Sequence, residues 1–264
     1  MEQVEPKIFL VGETRIVPEG LRAYLEHIGV PNWKSQDWSD DSPSDIEKLI
    51  EVNGRLCYRS FGTKLNPNIT SVREANRAYL ANILGVRHGS VLEHGFVNFI
   101  FADVSRVFTH ELVRHRVGVS ISQESLRFVR LEDIHFWFPP MVIENEEAMT
   151  IFARTVEDLE RIQKELARVF EVDSKKFEGK KKITSMMRRL APIGLATNIG
   201  WGANIRTLRW VIQMRTDPGA EEEIRLVFGK VAEICIAHYP NLFFDFQKEI
   251  IDGLPYYHTE YEKV

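Results

Sequence analysis

Arg114-His-Arg-Val-Gly-Val-Ser-Ile-Ser-Gln-Glu-Ser-Leu-Arg127 is the stretch that decides how this chain is read. It contains three arginines and no lysine, and with Arg106 and Arg130 on its flanks it makes five arginines against Glu111 and Glu124 alone. A second segment repeats the pattern. From Arg188 to Thr216 there are five arginines (188, 189, 206, 209 and 215) and no lysine, aspartate or glutamate. A guanidinium is a planar fork that meets two oxygens of a phosphate or carboxylate at once, which a lysine ammonium cannot do. Solvated faces mix Lys, Glu and Arg, whereas these arginines alternate with Phe128, Trp201, Leu208, Trp210, Ile212 and Met214. The two segments therefore predict a local anion site.

That site sits in an otherwise mildly acidic chain of 264 residues, with 34 Lys and Arg against 38 Asp and Glu, a formal charge of -4. This excludes a surface built throughout for nucleic acid or anionic lipid. The 44% hydrophobic content is that of an ordinary folded protein, and the length is ample for a full core. With no internal repeat or low-complexity linker, one continuous domain over residues 1–264 is expected. Cys57 and Cys235 lie far apart and form no CxxC motif, as in a reduced cytoplasmic setting. Neither a signal peptide nor a membrane-spanning apolar run is apparent, so no membrane partner is expected.

The coarse element pattern is α+β, helix-rich with a few strands. Lys7–Val11 reads as a strand closed by Gly12, followed by a helix from Pro18 to about Ile28. Residues 32–44 read as loop, Ser44 as the N-cap of a helix through Val52, and residues 71–86 as a third helix. Gly95–Val104 is an aromatic and β-branched strand, after which Asp103 or Ser105 caps a helix carrying Val107, Phe108, Leu112 and Val113. Residues 145–171 keep a three-four apolar stripe, including Ile151, Val156, Leu159, Ile162 and Leu166. The lysine-rich segment Lys175–Lys182 reads as solvated loop. Helices over 203–216 and 218–238 are expected, the second begun by Asp217 as N-cap and Pro218 at its first position. A last amphipathic piece covers 241–251. On the first of these helices, eleven residue steps return Arg215 to the face of Asn204, with Leu208 and Val211 between, while Arg206 points the opposite way. Such a helix has recognition groups on two sides.

Several familiar motifs fail. His110-Glu-Leu-Val-Arg-His115 spaces its histidines five apart instead of four, so the rings diverge and no metal is expected. GxGxxG, GxxxxGK[ST] and GxSxG are absent. His88 and His94, alone, read as structural histidines at element ends.

Arg114-His-Arg116, eight intervening residues and Ser125-Leu-Arg127 together resemble the RHR-x(7 or 8)-S-x-R signature of the flavin-dependent thymidylate synthases, the ThyX family. The order of the surrounding segments agrees: His88-Gly-Ser-Val-Leu-Glu-His94 before it, then Arg188 four residues ahead of Pro192, then Asn204-Ile-Arg206 and Arg215. The resemblance extends from about Arg55 to Tyr239. It implies a ThyX-like α+β fold with a small, mostly antiparallel sheet, a homotetramer sharing active sites between subunits, and reductive methylation of dUMP to dTMP. Methylenetetrahydrofolate would be the carbon donor, FAD the hydride carrier and NADPH the reductant.

Carried over by position, Glu111, Leu112, Val113 and Arg114 would contact dUMP, as would Gln123, Glu124, Ser125, Leu126 and Arg127, with Arg188 and Arg215. FAD would meet Ser90, Glu93, Arg114, His115, Arg116 and Gln123, then Asn204, Ile205, Arg206 and the position of Trp210. The catalytic group would be Arg215, polarising the pyrimidine, with His88 near the flavin and folate rings and Ser125. Ser125 has no general base beside it in sequence, so substrate hydrogen bonding outweighs nucleophilic attack. The chain departs from family patterns at Glu111, Trp210 and Gly219, where some members have Gln, Asn and a flavin-stacking His. A noncatalytic RNA- or nucleotide-binding module is the alternative that the arginine clusters alone would permit.

Overall fold

The computed structural model describes residues 1–34 and 44–262, so most of the expected loop over 32–44 lies outside the described residues. In chain order the elements are β1 (Glu2–Gln3), β2 (Lys7–Glu13), α1 (Pro18–His27), α2 (Asp45–Tyr58), α3 (Asn76–Gly85), β3 (Phe96–Ser105) and α4 (Arg106–Leu112). There follow β4 (Val119–Gln123), β5 (His135–Phe136), α5 (Pro140–Ile143), α6 (Glu146–Val169), α7 (Phe177–Met187) and β6 (Ala196–Asn204). The chain ends with α8 (Ile205–Thr216), α9 (Glu222–His238), β7 (Gln247–Ile251) and β8 (Leu254–His258). The result is a helix-rich α+β architecture around a four-stranded sheet of order β2-β3-β6-β4, every pairing antiparallel.

The sheet is apolar on one face. Leu10, Phe99, Trp201 and Ile121 align across the four strands. Phe99, Phe101, Ile199 and Trp201 are buried in the main core with Leu208, Val211, Ile212 and Phe228 of α8 and α9. The opposite face carries Phe9, Ile100, Gly200 and Ser122 in one row, with Phe9 49% and Ile100 41% exposed. The helices thus cover one face of the sheet and leave the other open within the chain. A second cluster of Leu131, Ile134, Phe136, Phe138, Val156 and Leu195 seats α6.

Local chemistry explains the boundaries. Ser44 and Glu47 form a reciprocal capping box, and α2 continues past Val52 to Tyr58. α3 is shorter than 71–86 and begins at Asn76. The Ser105 hydroxyl oxygen, not Asp103, accepts from Phe108 N–H at 3.1 Å to cap α4. Three expectations are corrected. The lysine-rich segment is helical from Phe177, because Ile183, Thr184 and Met187 recur at helical spacing on its inner side. Asp217 does not start α9: its carboxylate accepts from Gly219 N–H at 2.8 Å in a turn ahead of the helix, and the Glu221 carboxylate accepts from Ile224 N–H at 3.2 Å as the cap. The piece over 241–251 ends in strand β7, paired with β8 in a hairpin.

Candidate active site

α4, β4, the loop after β4 and α8 bring the two arginine segments together. Residues 113–118 form the tight connection between α4 and β4. At Gly118 (φ +69°) a Cβ would lie 2.3 Å from Asn204 Nδ2 and 2.5 Å from Thr207 Oγ1, so only glycine lets this turn close on the start of α8. Asn204 N–H donates to the Gly118 carbonyl at 3.0 Å and the Thr207 hydroxyl to the Val117 carbonyl at 2.9 Å. Asn204 also caps α8 through Thr207 N–H at 2.9 Å. The signature loop is thereby fixed to the positive end of a twelve-residue helix.

One cavity adjoins this junction and another lies at the far end of β4, beside Gln123. The first, of about 560 Å³, is lined by Glu93, Arg114, His115, Arg116, Asn204, Arg206 and Trp210, together with Val117 and Thr207. Three guanidiniums, one helix N-terminus and a 40% exposed indole face it, against the single carboxylate of Glu93, which pairs with Arg206 at 2.6 Å. That donor set suits a large anionic ligand with a flat ring.

The second cavity, of about 470 Å³, is lined by Arg106, Gln123, Glu124, Ser125, Leu126, Arg188 and Arg189. Arg106 Nε is buried with no hydrogen-bond partner among the described residues. Burial lowers the pKa of that guanidinium, Glu124 offsets part of the effect, and Arg188 lowers it further by repulsion. Arg106 and Arg188 put two like charges on one cavity wall, and the guanidinium of Arg106 has an unmet donor, so an anion there would be favoured. Gln123 donates to Thr109 Oγ1 at 3.1 Å and Glu124 accepts from the Asn198 side chain at 2.7 Å, which hold the lining in place.

Arg215 lies between the elements that line the cavities. Its Nη1 meets Glu111 Oε2 at 2.5 Å and its Nε–H donates to His115 Nε2 at 2.7 Å. His115 can accept only as neutral imidazole, and its pKa is pushed down to about 4 by burial and then by Arg215.

The structure brings together most of the sequence-selected residues and sets others apart. Leu112 and Ile205 are fully buried in the core, so their side chains face away from both cavities. Val113, Arg127 and Ser90 are exposed outside the two linings. Arg127 N–H reaches Ser125 Oγ at 3.3 Å. His88 stacks edge-on with Tyr58 at 5.6 Å and lines neither cavity, and its Nδ1 is buried without a partner. Arg209, counted among the anion-binding arginines, is 4% exposed and bound to Asp245 at 2.6 and 2.8 Å, so it belongs to the core. Sequence reasoning did not assign Arg106 and Arg189 individually, nor Val117 and Thr207; the arginines were at least visible as members of the two clusters. Cys235 is buried with its thiol pKa pushed up, and Cys57 is exposed outside both cavities.

Known proteins resemble this chain over most of its length. The family model described as Thymidylate synthase complementing protein matches residues 41–241. A flavin-dependent thymidylate synthase of Corynebacterium diphtheriae is 33% identical over 225 residues, covering 82% of this chain and 86% of that protein. One from Corynebacterium efficiens is 34% identical over 224 residues with the same coverage. The ThyX structure of Helicobacter pylori with FAD and dUMP superimposes with a TM-score of 0.53 at 18% identity, over 75% of this chain and 94% of that one. The UMP/dUMP methylase PolB of Streptomyces cacaoi, bound with 5-Br UMP, gives a TM-score of 0.61 at 14% identity, over 92% of this chain and 94% of that one.

Proposed function

The chain belongs to the flavin-dependent thymidylate synthase family, and from that premise we propose that its two cavities divide the substrates of dUMP methylation between them. The enzyme converts dUMP to dTMP with FAD. The 560 Å³ cavity fits the FAD pyrophosphate: Arg114, Arg116 and Arg206 supply the positive charge that two desolvated phosphates need, and Trp210 supplies an aromatic face. Bound there, the flavin supplies the hydride. The 470 Å³ cavity takes the nucleotide phosphate, with Arg106 and Arg188 as charge and Ser125 as hydrogen-bond donor. This residue assignment rests chiefly on the buried, partnerless Arg106 Nε beside Arg188.

Arg215 then acts on the pyrimidine. Its guanidinium, steered by His115 and Glu111, stabilises negative charge at the N3–carbonyl edge as the ring is activated. No cysteine takes part, since neither thiol reaches a cavity. Methylenetetrahydrofolate and NADPH serve as carbon donor and reductant, in the cytoplasm. The open sheet face with Phe9 and Ile100 supports a homotetramer in which neighbouring chains complete the sites. No helix among the described residues is long and apolar enough to cross a membrane.

The test is spectroscopic. Purified protein should be yellow, be bleached by NADPH under anaerobic conditions, and recover its flavin colour with dTMP formation only when dUMP and methylenetetrahydrofolate are both added. A colourless protein that takes up no FAD, or flavin reoxidation indifferent to dUMP, would contradict the proposal.

A further inference from the structure

The parallel pair of β1 and β5 gathers chemistry that neither cavity uses. Its register sets Glu2 beside His135 and Gln3 beside Phe136. Side chains alternate along an extended chain, so with Ile134 fully buried, Asp133 and His135 both point outward, on the side that Glu2 shares through the register. His135 Nε2 then lies 3.5 Å from Glu2 Oε2 and 3.8 Å from Asp133 Oδ2. Among the described residues this is the only group in which three metal-ligating side chains bring their ligand atoms within 4.8 Å of one another. The Met1 ammonium, 2.7 Å from Glu160, stands 4.0 Å from the other Asp133 oxygen.

The spacing within the cluster is that of ligands around one ion. Both N···O separations exceed the roughly 2.7–3.2 Å of an N–H···O bond, so no hydrogen bond closes the imidazole onto either carboxylate. Atoms that each sit about 2.1 Å from a tetrahedral zinc ion lie about 3.4 Å from one another, close to what is found here. Two carboxylates converging on a neutral ring repel each other, and a divalent cation between them offsets that repulsion. The side chains of Glu2, Asp133 and His135 are 65%, 72% and 43% exposed, so an ion enters and leaves without opening the fold.

Three protein ligands leave coordination positions for water. Asp133 and His135 also line a third cavity, of about 180 Å³. Thr197 on its wall is 4% exposed, and its hydroxyl has no hydrogen-bond partner among the described residues. Water ligands of an ion would find both room and an unmet polar group there.

We propose that Glu2, Asp133 and His135 bind a divalent transition-metal ion of the zinc class, which clips β1 to β5. An imidazole nitrogen with two carboxylates suits such an ion, whereas Mg²⁺ and Ca²⁺ take oxygen ligands. β1 is only two residues long, and its backbone contacts to β5 run through Glu2 N–H to the Ile134 carbonyl at 2.9 Å and Val4 N–H to the Phe136 carbonyl at 3.1 Å. An ion held by side chains from both strands restrains a segment that two such bonds leave free to fray.

The test titrates Zn²⁺ into the full chain, purified without an affinity tag and dialysed against a chelator, and follows binding by calorimetry. About one Zn²⁺ per chain should bind. His135→Ala and Asp133→Asn should each weaken binding at least about tenfold, since even the loss of a ligand's supporting partner costs that much. His258→Ala removes another histidine beside a carboxylate, Glu249 at 3.0 Å, and should leave binding unchanged. Hydrogen exchange of the Val4 amide should slow with Zn²⁺ in wild type and not in His135→Ala. No saturable binding of Zn²⁺, binding that survives His135→Ala, or tighter binding of Ca²⁺ than of Zn²⁺ would overturn the site. Binding that leaves Val4 exchange unchanged would overturn the clip.

Discussion

Two arginines of α8 lie six residues apart and have opposite fates. Arg209 is 4% exposed, gripped by both oxygens of Asp245 and the Leu242 carbonyl, with the Phe246 ring 4.9 Å from its guanidinium. Arg215 is fastened by one Glu111 carboxylate oxygen, the Glu111 carbonyl at 3.3 Å and a neutral imidazole, and its side chain keeps 15% of its surface open. Both sit in the lysine-free segment and look alike in sequence. A guanidinium held by both oxygens of a buried carboxylate belongs to the core, whereas one held by a partly exposed carboxylate and an imidazole keeps part of its surface accessible beside the elements that line the cavities.

Removing the Arg209 partner should have the largest effect. Asp245→Ala leaves a buried, uncompensated charge and should cost about 3–5 kcal/mol, measured as a fall in the denaturant midpoint. A loss under ~1 kcal/mol would mean that solvent reaches Arg209 and that the contrast is false. Arg215→Ala should leave folding, FAD binding and flavin reduction intact while methylation drops at least ~10²–10³-fold, the scale of removing one stabiliser of developing charge. Unchanged turnover would displace the pyrimidine from Arg215.

Glu223 extends the contrast to a buried carboxylate that has no arginine. It is fully buried, bound to Ser105 N–H at 2.6 Å and to the Ser105 hydroxyl, and burial raises its pKa from 4.5 to about 7. Between those pH values the folded chain keeps a proton that the unfolded chain releases, so stability falls as pH rises across that window, by about 3 kcal/mol. His115, with its pKa lowered to about 4, contributes the opposite slope to both proteins, so the readout is the difference: from pH 4.5 to 7.5 wild type should lose stability relative to Glu223→Gln as pH rises, and identical slopes would refute it. The smallest effect is expected from Ser125→Ala: dUMP affinity about tenfold weaker, near 1.4 kcal/mol, with residual turnover. Complete loss of turnover at normal affinity would instead make Ser125 a nucleophile.

Elements governed by nearby residues were legible in the sequence. The Ser44 capping box, the Ser105 cap and the long stripe of α6 each follow from residues within a few positions of one another. Strand β6 was not legible, because its outward positions include Gly200 and Gly202 where an alternating strand would carry polar side chains, so the stretch ran into the helix after it. The β7–β8 hairpin carries a local signal in Asp252-Gly253, both with positive φ. α7 was masked by its lysines, which outweigh the weak apolar spacing beneath them.

The candidate site divides in the same way. The signature and Arg188 could be found because their spacing is fixed along the chain. The separation of Arg209 from Arg215 could not, since Asp245 lies 36 residues beyond Arg209 and Glu111 lies 104 before Arg215. Only the fold brings each pair together.

The most direct test of the two-cavity account is a crystal structure with FAD and dUMP bound. The account predicts the FAD pyrophosphate against Arg114, Arg116 and Arg206, the dUMP phosphate within hydrogen-bond distance of Arg188 and Ser125, and Arg215 on the pyrimidine edge. A dUMP phosphate lodged among Arg114, Arg116 and Arg206, or a pyrimidine out of reach of Arg215, would contradict it.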